Sequence, residues 1–444
     1  MENSENLERR IYGIHFTSVR IFNDYIMPQI RDILYNYKWV DLFCGEGNLI
    51  LPILKFVPEK ERDIFFEEHI QCFDIKRESV EKAINEAVNY GISKEVARER
   101  IKVRDSLADY PTLEGKFPVF HITNPPYLYL GYIRKNKEVK DKITYFNGEN
   151  YGFQDLYQIA LMNDLRHKIR DMIYVIPSNF LFSDAGSNKI RKDFLRHYRI
   201  KSCYIFEKKI FRDTGTNVLI SRFERTDTIN RRIEFTGYKI NDKVEKLKYT
   251  LLVKNTFKPN NLFSEYLNAH FKKDHLNVKF YLDYGEIQNN TGDREVILLN
   301  SKNYVGGKYT KTTFHVNDSL YSKLKANPYF IRTVDTGSFH GKAGIYSIRE
   351  EFNADGIFVK PPTYRTNPIQ IFIQPELSDA ENRSLKGLFN KILNDLRDRT
   401  GGDFLTTYKY SDKPRYIRKY LGLKQVKEIL TTISLKDLKD ANKE

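Results

Sequence analysis

Lys38-Trp39-Val40-Asp41-Leu42-Phe43-Cys44-Gly45-Glu46-Gly47-Asn48 is the stretch on which the fold turns. Residues 38–43 are mainly apolar and read as a strand, Cys44–Asn48 as a turn, and Leu49–Phe56 as a helix. Glycines at 45 and 47 allow a ligand to come close to the backbone. A dinucleotide fingerprint would need a third glycine at position 50, where Ile50 stands, so a nicotinamide cofactor is not indicated.

Outward from this unit the alternation repeats. His69–Phe73 reads as a second strand ending at Asp74, and Glu78–Tyr90 as a helix burying Val80, Ile84, Ala87 and Val88, with Gly91 at its C-terminal cap. Ile101–Val103 is a third strand, ending near Asp105. Val119–Thr123 is a fourth, running directly into Asn124-Pro125-Pro126-Tyr127. Helices over Asp155–Lys168 and Lys189–Tyr198, and strands over Met172–Ile176, Ile200–Phe206 and Asn217–Phe223, close the set. The alternation predicts an α/β fold with a doubly wound, mostly parallel Rossmann-like sheet, whose ligands bind beyond the carboxyl ends of the strands. Leu128–Gly152 is expected to be a long basic loop beside the site, either functional or simply solvated. After about residue 250 the rhythm is lost. A second domain of mixed α+β character is expected over 246–444, after a first domain over 1–245.

Composition narrows the classes. No run of about 18 apolar residues occurs, so no membrane helix is expected. Cys44, Cys72 and Cys203 lie far apart without metal-ligand spacing, which suits a reducing cytoplasm and no metal. The net charge of +15 is uneven: residues 1–230 hold 36 Lys and Arg against 33 Asp and Glu, residues 231–444 hold 37 against 25. A basic second half suits a polyanion, although a lysine-rich solvated surface gives the same count.

Asp41, Asp74 and Asp105 fall at three consecutive strand ends and therefore along one crevice. The first can face an ammonium group, the second a pair of ribose hydroxyls, the third an adenine amino group. Together they fit S-adenosylmethionine. Each alone could instead cap a helix. Asn124-Pro125-Pro126-Tyr127 supplies two acceptors, the Asn124 side-chain oxygen and the Pro125 carbonyl. Held on both hydrogens of an exocyclic amino group, they localise its lone pair towards a methyl donor. The prolines stiffen the turn that carries them. Tyr127 can stack on the acceptor base, which must leave its duplex to reach the turn.

These segments resemble the gamma-class DNA adenine-N6 methyltransferases, the methylases of type II restriction-modification systems, over roughly residues 11–225. Gly13-Ile14-His15-Phe16-Thr17 is similar to the motif that wraps the methionine end of the cofactor, with Ser18 where proline is usual. Asp155-Leu156-Tyr157 is similar to the helix beside the cofactor adenine, and Ile176–Leu181 to the strand and turn after it. The resemblance implies cofactor contacts from Thr17, Asp41, Phe43, Cys44, Gly45, Gly47, Asp74, Ile75, Asp105, Ser106 and Asn124. It implies catalysis by Asn124, Pro125, Pro126 and Tyr127, and stacking of a flipped adenine between Tyr127 and Phe211. It makes 1–245 the catalytic domain and 246–444 the target-recognition domain. In that half Lys308-Tyr309-Thr310-Lys311, Gly337–Lys342, Lys360–Arg365 and Tyr408–Lys419 interleave basic and aromatic residues.

Double-stranded DNA is the expected partner, without a membrane or an obligate protein subunit; the chain is read as a monomer. Some twelve residues precede Gly13, too few for a fused nuclease, which points to a stand-alone type II enzyme with a cognate restriction endonuclease, or to an orphan methylase. Methylation of an RNA base or a protein glutamine, and an inactive DNA-binding homologue, stay open as alternatives.

Overall fold

A computed structural model describes residues 18–183, 186–211, 215–259, 261–336, 339–362, 367–411 and 416–441. Two compact units divide the chain at Pro259/Asn260. The boundary expected at 245/246 falls inside a strand, Val244–Leu252, that belongs to the sheet of the first unit.

That sheet has nine strands: β1 (Lys38–Asp41), β2 (Ile70–Asp74), β3 (Ile101–Val103), β4 (Val119–Thr123), β5 (Asp171–Pro177), β6 (Tyr198–Phe206), β7 (Val218–Arg225), β8 (Arg232–Ile240) and β9 (Val244–Leu252). Their order is β3-β2-β1-β4-β5-β7-β6-β8-β9. Strands β1 to β5 are mutually parallel, and β7 enters antiparallel to β5. Every residue of β1, β2 and β5 is buried. Strands covered on both faces read as continuous apolar runs, which is why the sequence shows them clearly. The strand order reverses between β1 and β4. That is the topological switch point, where the loops from neighbouring strands diverge and leave a crevice.

Several expected elements differ in detail. Leu49–Phe56 is not an α-helix but a short 3₁₀ segment, Leu51–Phe56, with Pro52 in its first turn removing a backbone donor. The helix Arg77–Asn89 buries Val80, Ala83, Ile84 and Ala87 and ends before Gly91, whose φ is +91°. Val88 is exposed, because it lies at the margin of that stripe. The helix expected to reach Tyr198 spans Asn188–Phe194, and Tyr198 already opens β6. Leu128–Gly152 is folded rather than an open loop. It holds the turns Leu130–Ile133, Lys137–Phe146 and Gly148–Asn150, with Val139, Phe146 and even Lys142 buried. Strands β8 and β9 extend the sheet beyond the expected set; in β8, Ile233 and Phe235 alternate with exposed Arg232 and Glu234.

The second unit is mixed α+β. One sheet has the order β10 (Asn277–Phe280), β17 (Ile369–Gln374), β14 (Tyr329–Arg332), β15 (Gly344–Ser347). Another runs β11 (Leu282–Asp283), β16 (Gly356–Val359), β12 (Thr291–Val305), β13 (Lys308–Val316). A 22-residue helix, Asp379–Thr400, starts from a capping box of Ser378 and Glu381 and ends at Gly401, whose φ is +58°. It buries Leu385, Phe389, Ile392, Leu393 and Leu396 in a core shared with Ile331, Ile345 and Ile371. No helix among the described residues is long and apolar enough to cross a membrane.

Candidate active site

The carboxyl ends of β1 and β4 are joined side chain to side chain. Thr123, the last residue of β4, donates its hydroxyl to Asp41 Oδ1 at 2.6 Å, and the Phe43 amide donates to the same oxygen at 3.0 Å. Asp41 is 1% exposed, and its Oδ2 is buried without a hydrogen-bond partner among the described residues. Burial pushes its carboxyl up to about 6, held there against the two hydrogen bonds, which lower it. A buried carboxylate oxygen with an unused lone pair is costly unless something supplies a donor. Beside it the loop opens: Gly45 has φ +54° and free space where a Cβ would stand, whereas a Cβ on Gly47 (φ +86°) would collide with Leu51. Cys44 donates its amide to the Phe73 carbonyl, tying this loop to β2.

Asn124 follows Thr123 immediately. The Tyr127 hydroxyl reaches both Asn124 Oδ1 and, at 2.7 Å, the Val175 carbonyl of β5. A hydroxyl has one hydrogen, so Tyr127 donates to one of these two acceptors at a time, and its position between them keeps Asn124 next to β5. Asp155, at the start of the helix Leu156–Arg166, accepts the Leu128 amide at 2.9 Å and so fixes the exit of the tetrapeptide. Burial pushes its carboxyl up to about 7. Tyr127 is 8% exposed and Phe211 3%. Both stacking candidates are thus packed inward here and present little face to a base.

Asp74 accepts the Gly45 amide through Oδ2 at 2.8 Å and the Lys76 amide through Oδ1 at 2.9 Å; burial raises its pKa. It braces the glycine loop, and each oxygen keeps a second lone pair for a hydroxyl. Asp105 receives the Leu107 and Ala108 amides on Oδ1 and the Tyr145 hydroxyl on Oδ2 at 2.5 Å. Ile75 is exposed next to Asp74, and Ser106 is buried, its hydroxyl without a hydrogen-bond partner among the described residues. Thr17, with Gly13–Phe16, lies outside the described residues, as do Arg212–Thr214 beside Phe211.

Beneath the site is a polar network that sequence reasoning missed. Asp164 is fully buried on the helix Leu156–Arg166. It accepts hydrogen bonds from His121 Nδ1 at 2.5 Å, the Tyr174 hydroxyl at 2.7 Å and the Tyr110 hydroxyl at 2.8 Å. His121 Nε2 in turn accepts the Leu42 amide at 3.3 Å, which assigns the ring hydrogen to Nδ1. Leu42 follows Asp41, and His121 precedes Asn124 by three residues. The network therefore stitches β1 to β4 a second time, below the Thr123–Asp41 bond. The only sequence signal was a histidine in an otherwise apolar strand. Asp164→Ala would strand the buried donors of His121 and Tyr174 and the part-buried one of Tyr110, and is expected to destabilise the first unit by about 3–5 kcal/mol. Trp39, the only tryptophan and fully buried in β1, reports that unit's urea midpoint by fluorescence. An unchanged midpoint would make the network dispensable.

No curated relative matches the chain. Among solved structures it is similar to the type IIL restriction-modification enzyme MmeI in complex with DNA, with 11% identity, TM-score 0.51, and 85% of this chain and 64% of that chain covered. It also matches a DrdV–DNA complex (14% identity, TM-score 0.41, 56% and 31% covered) and the type I enzyme EcoKI M protein (12%, 0.37, 51% and 48%). The chain spans less than two-thirds of the length of each of these structures. At such identities the likeness to MmeI speaks for the fold: a mixed α/β architecture around a large, mostly parallel sheet. Residues 25–211 match the family model described as Eco57I restriction-modification methylase, so the segment holding Asp41, Asp74, Asp105 and Asn124 is similar to the methylases of restriction-modification systems, and S-adenosylmethionine is the cofactor this match indicates.

Proposed function

We propose that the protein methylates the N6 amino group of an adenine flipped out of duplex DNA, as the modification enzyme of a type II restriction-modification system. The observation that carries this reading is the bond between Thr123 and Asp41. It sets Asn124, the acceptor for an amino group, beside the carboxylate best suited to a cationic cofactor.

S-adenosylmethionine, when bound, supplies an electrophilic methyl group on a sulfonium. The residues present fit it. The unpartnered Oδ2 of Asp41 would receive its ammonium, and the open space at Gly45 leaves room along the backbone. Asp74 would take ribose hydroxyls on its remaining lone pairs, and Asp105 the adenine amino group. Asn124 Oδ1 and the Pro125 carbonyl would hold the two hydrogens of the target amino group, drawing the nitrogen towards tetrahedral geometry. Because the turn is stiffened by two prolines and braced by Tyr127 and Asp155, these acceptors are in place before the reaction. Tyr127 and Phe211 would stack on the flipped base once it uncovers them, supplying ~1–3 kcal/mol per base against the few kcal/mol that extrusion costs.

The experiment is methylation of plasmid DNA by the purified protein and S-adenosylmethionine, mapped by single-molecule sequencing. N6-methyladenine within one short sequence is the expected result. Methylated cytosine in its place, or plasmid left without any methylated base, would overturn the reading.

A further inference from the structure

The hairpin of β12 and β13 is the longest two-stranded feature of the second unit. Tyr304 pairs with Tyr309 and Val305 with Lys308 across a two-residue turn, Gly306-Gly307, in which both φ angles are positive (+59° and +83°). Such a turn matches the twist of a hairpin and lets the ribbon end sharply. The base of the ribbon is anchored, with Val296, Leu298, Leu299 and Ser301 buried. From Lys302 to Lys308 every residue is exposed. Tyr304 is 56% and Val305 65% exposed. The Tyr304 and Tyr309 rings lie 4.7 Å apart, which stiffens the tip. Between Glu295 and Asp318 there is no acidic residue, while Lys302, Lys308 and Lys311 are present.

An exposed ribbon end with lysines and an apolar, aromatic tip is not explained as edge protection alone. Lysines suffice to blunt an edge strand, whereas exposed Val and Tyr would add to its stickiness. The combination matches a nucleic-acid groove. Basic residues meet phosphates at the rim, and apolar side chains meet base edges such as the thymine methyl. A two-stranded ribbon fits the ~12 Å major groove of B-DNA but not the ~6 Å minor groove. Resting on the DNA-methyltransferase reading, we propose that the tip from Lys302 to Lys308 enters the major groove of duplex DNA. Tyr304 and Val305 lie against base edges there, and Lys302 and Lys308 lie on the flanking phosphates.

The test uses the full chain and a duplex carrying the sequence that the wild-type protein methylates. Lys302→Ala with Lys308→Ala should reduce the slope of log affinity against log salt by about 2, near 0.9 for each phosphate left without its lysine. Tyr304→Ser with Val305→Ser should lower methylation of that sequence at least tenfold and expose guanine N7 positions that the wild type protects from dimethyl sulfate. Affinity for S-adenosylmethionine should stay unchanged, and so should the unfolding curve of the full chain followed by far-ultraviolet circular dichroism, which covers the β-rich second unit as well as the first and so excludes misfolding. If the wild type methylates the duplex but both variants keep its affinity, salt slope and N7 protection, the hairpin proposal is overturned. Loss of adenine N3 protection in the minor groove, with N7 unaffected, would overturn it equally. A wild type that methylates no duplex would instead sink the underlying reading.

Discussion

Asn124→Ala is expected to lower the rate of methyl transfer by about 10³-fold while leaving the affinity for S-adenosylmethionine within about twofold of wild type. The size follows from what is removed. A preorganised polar group aimed at the reacting atoms is worth about 10²–10³ in rate. The substitution also leaves the target nitrogen planar, with its lone pair delocalised into the ring. The surroundings should survive. Alanine before Pro125 is restricted to the same extended backbone as asparagine there. Tyr127 keeps its 2.7 Å bond to the Val175 carbonyl, and the Leu128 amide keeps Asp155. Asn124 is only half-buried, so no large cavity forms. Single-turnover transfer of a labelled methyl group gives the rate, and titration calorimetry the affinity. A fall below tenfold would remove Asn124 from the chemistry. A parallel loss of affinity would make it a cofactor ligand or a structural residue instead.

What was legible in the sequence follows from burial. Strands β1, β2 and β5 are covered on both faces, and their apolar runs mark them without ambiguity. The acids after them stand out because they interrupt those runs. Elements with one wet face were harder to read. Strands β8 and β9 have the period-two alternation of such strands, but it falls where the α/β rhythm had already ended. The segment 128–152 reads as a long basic loop, functional or solvated, because of its lysines. Yet Val139 and Phe146 are enough to pin it, and the stem of Lys142 is buried with them. Tyr145 then reaches Asp105, a contact between residues 40 apart that no local pattern could disclose.

The hydrogen bonds that shape the site were least legible, since they depend on strand order. His121 and Leu42 are 79 residues apart, and Thr123 and Asp41 82 apart. They meet only because β4 lies next to β1 at the switch point. The sequence shows a carboxylate ending one strand and an asparagine following another. The sheet order makes them neighbours, and Thr123 sets their spacing. Asp41 and Asn124, carried by separate strands, are therefore registered by the side chains of Thr123 and His121. Asp164 extends that registration to the helix that begins at Leu156, one residue after Asp155.

Asp41→Asn should separate function from stability at this junction. A carboxylate facing a cofactor ammonium in a buried site is worth several kcal/mol when one partner is removed, so affinity for S-adenosylmethionine should fall by about 10²-fold or more at pH 8. The cofactor-free protein should respond in the opposite sense. Burial raises Asp41 to about 6 from an ordinary 3.8. The folded state thus holds its proton more tightly than the unfolded state does. Such a group favours folding at low pH, and this contribution is lost as pH rises through about 6. Between pH 5 and pH 8 the wild type should lose about 1.4 kcal/mol that the Asp41→Asn variant does not, because each tenfold difference in proton affinity between the two states is worth about 1.36 kcal/mol. The substituted asparagine keeps one acceptor for Thr123 and Phe43. Its amide nitrogen replaces the oxygen that has no hydrogen-bond partner among the described residues, and a buried amide left unpaired there costs ~1–3 kcal/mol at every pH and cancels from the pH dependence. Urea unfolding of both proteins without cofactor, followed by Trp39 fluorescence, measures the difference in slope. Parallel stability curves from pH 5 to pH 8 would mean that Asp41 is not the titrating group. Undiminished cofactor affinity would mean that its free oxygen serves some other partner.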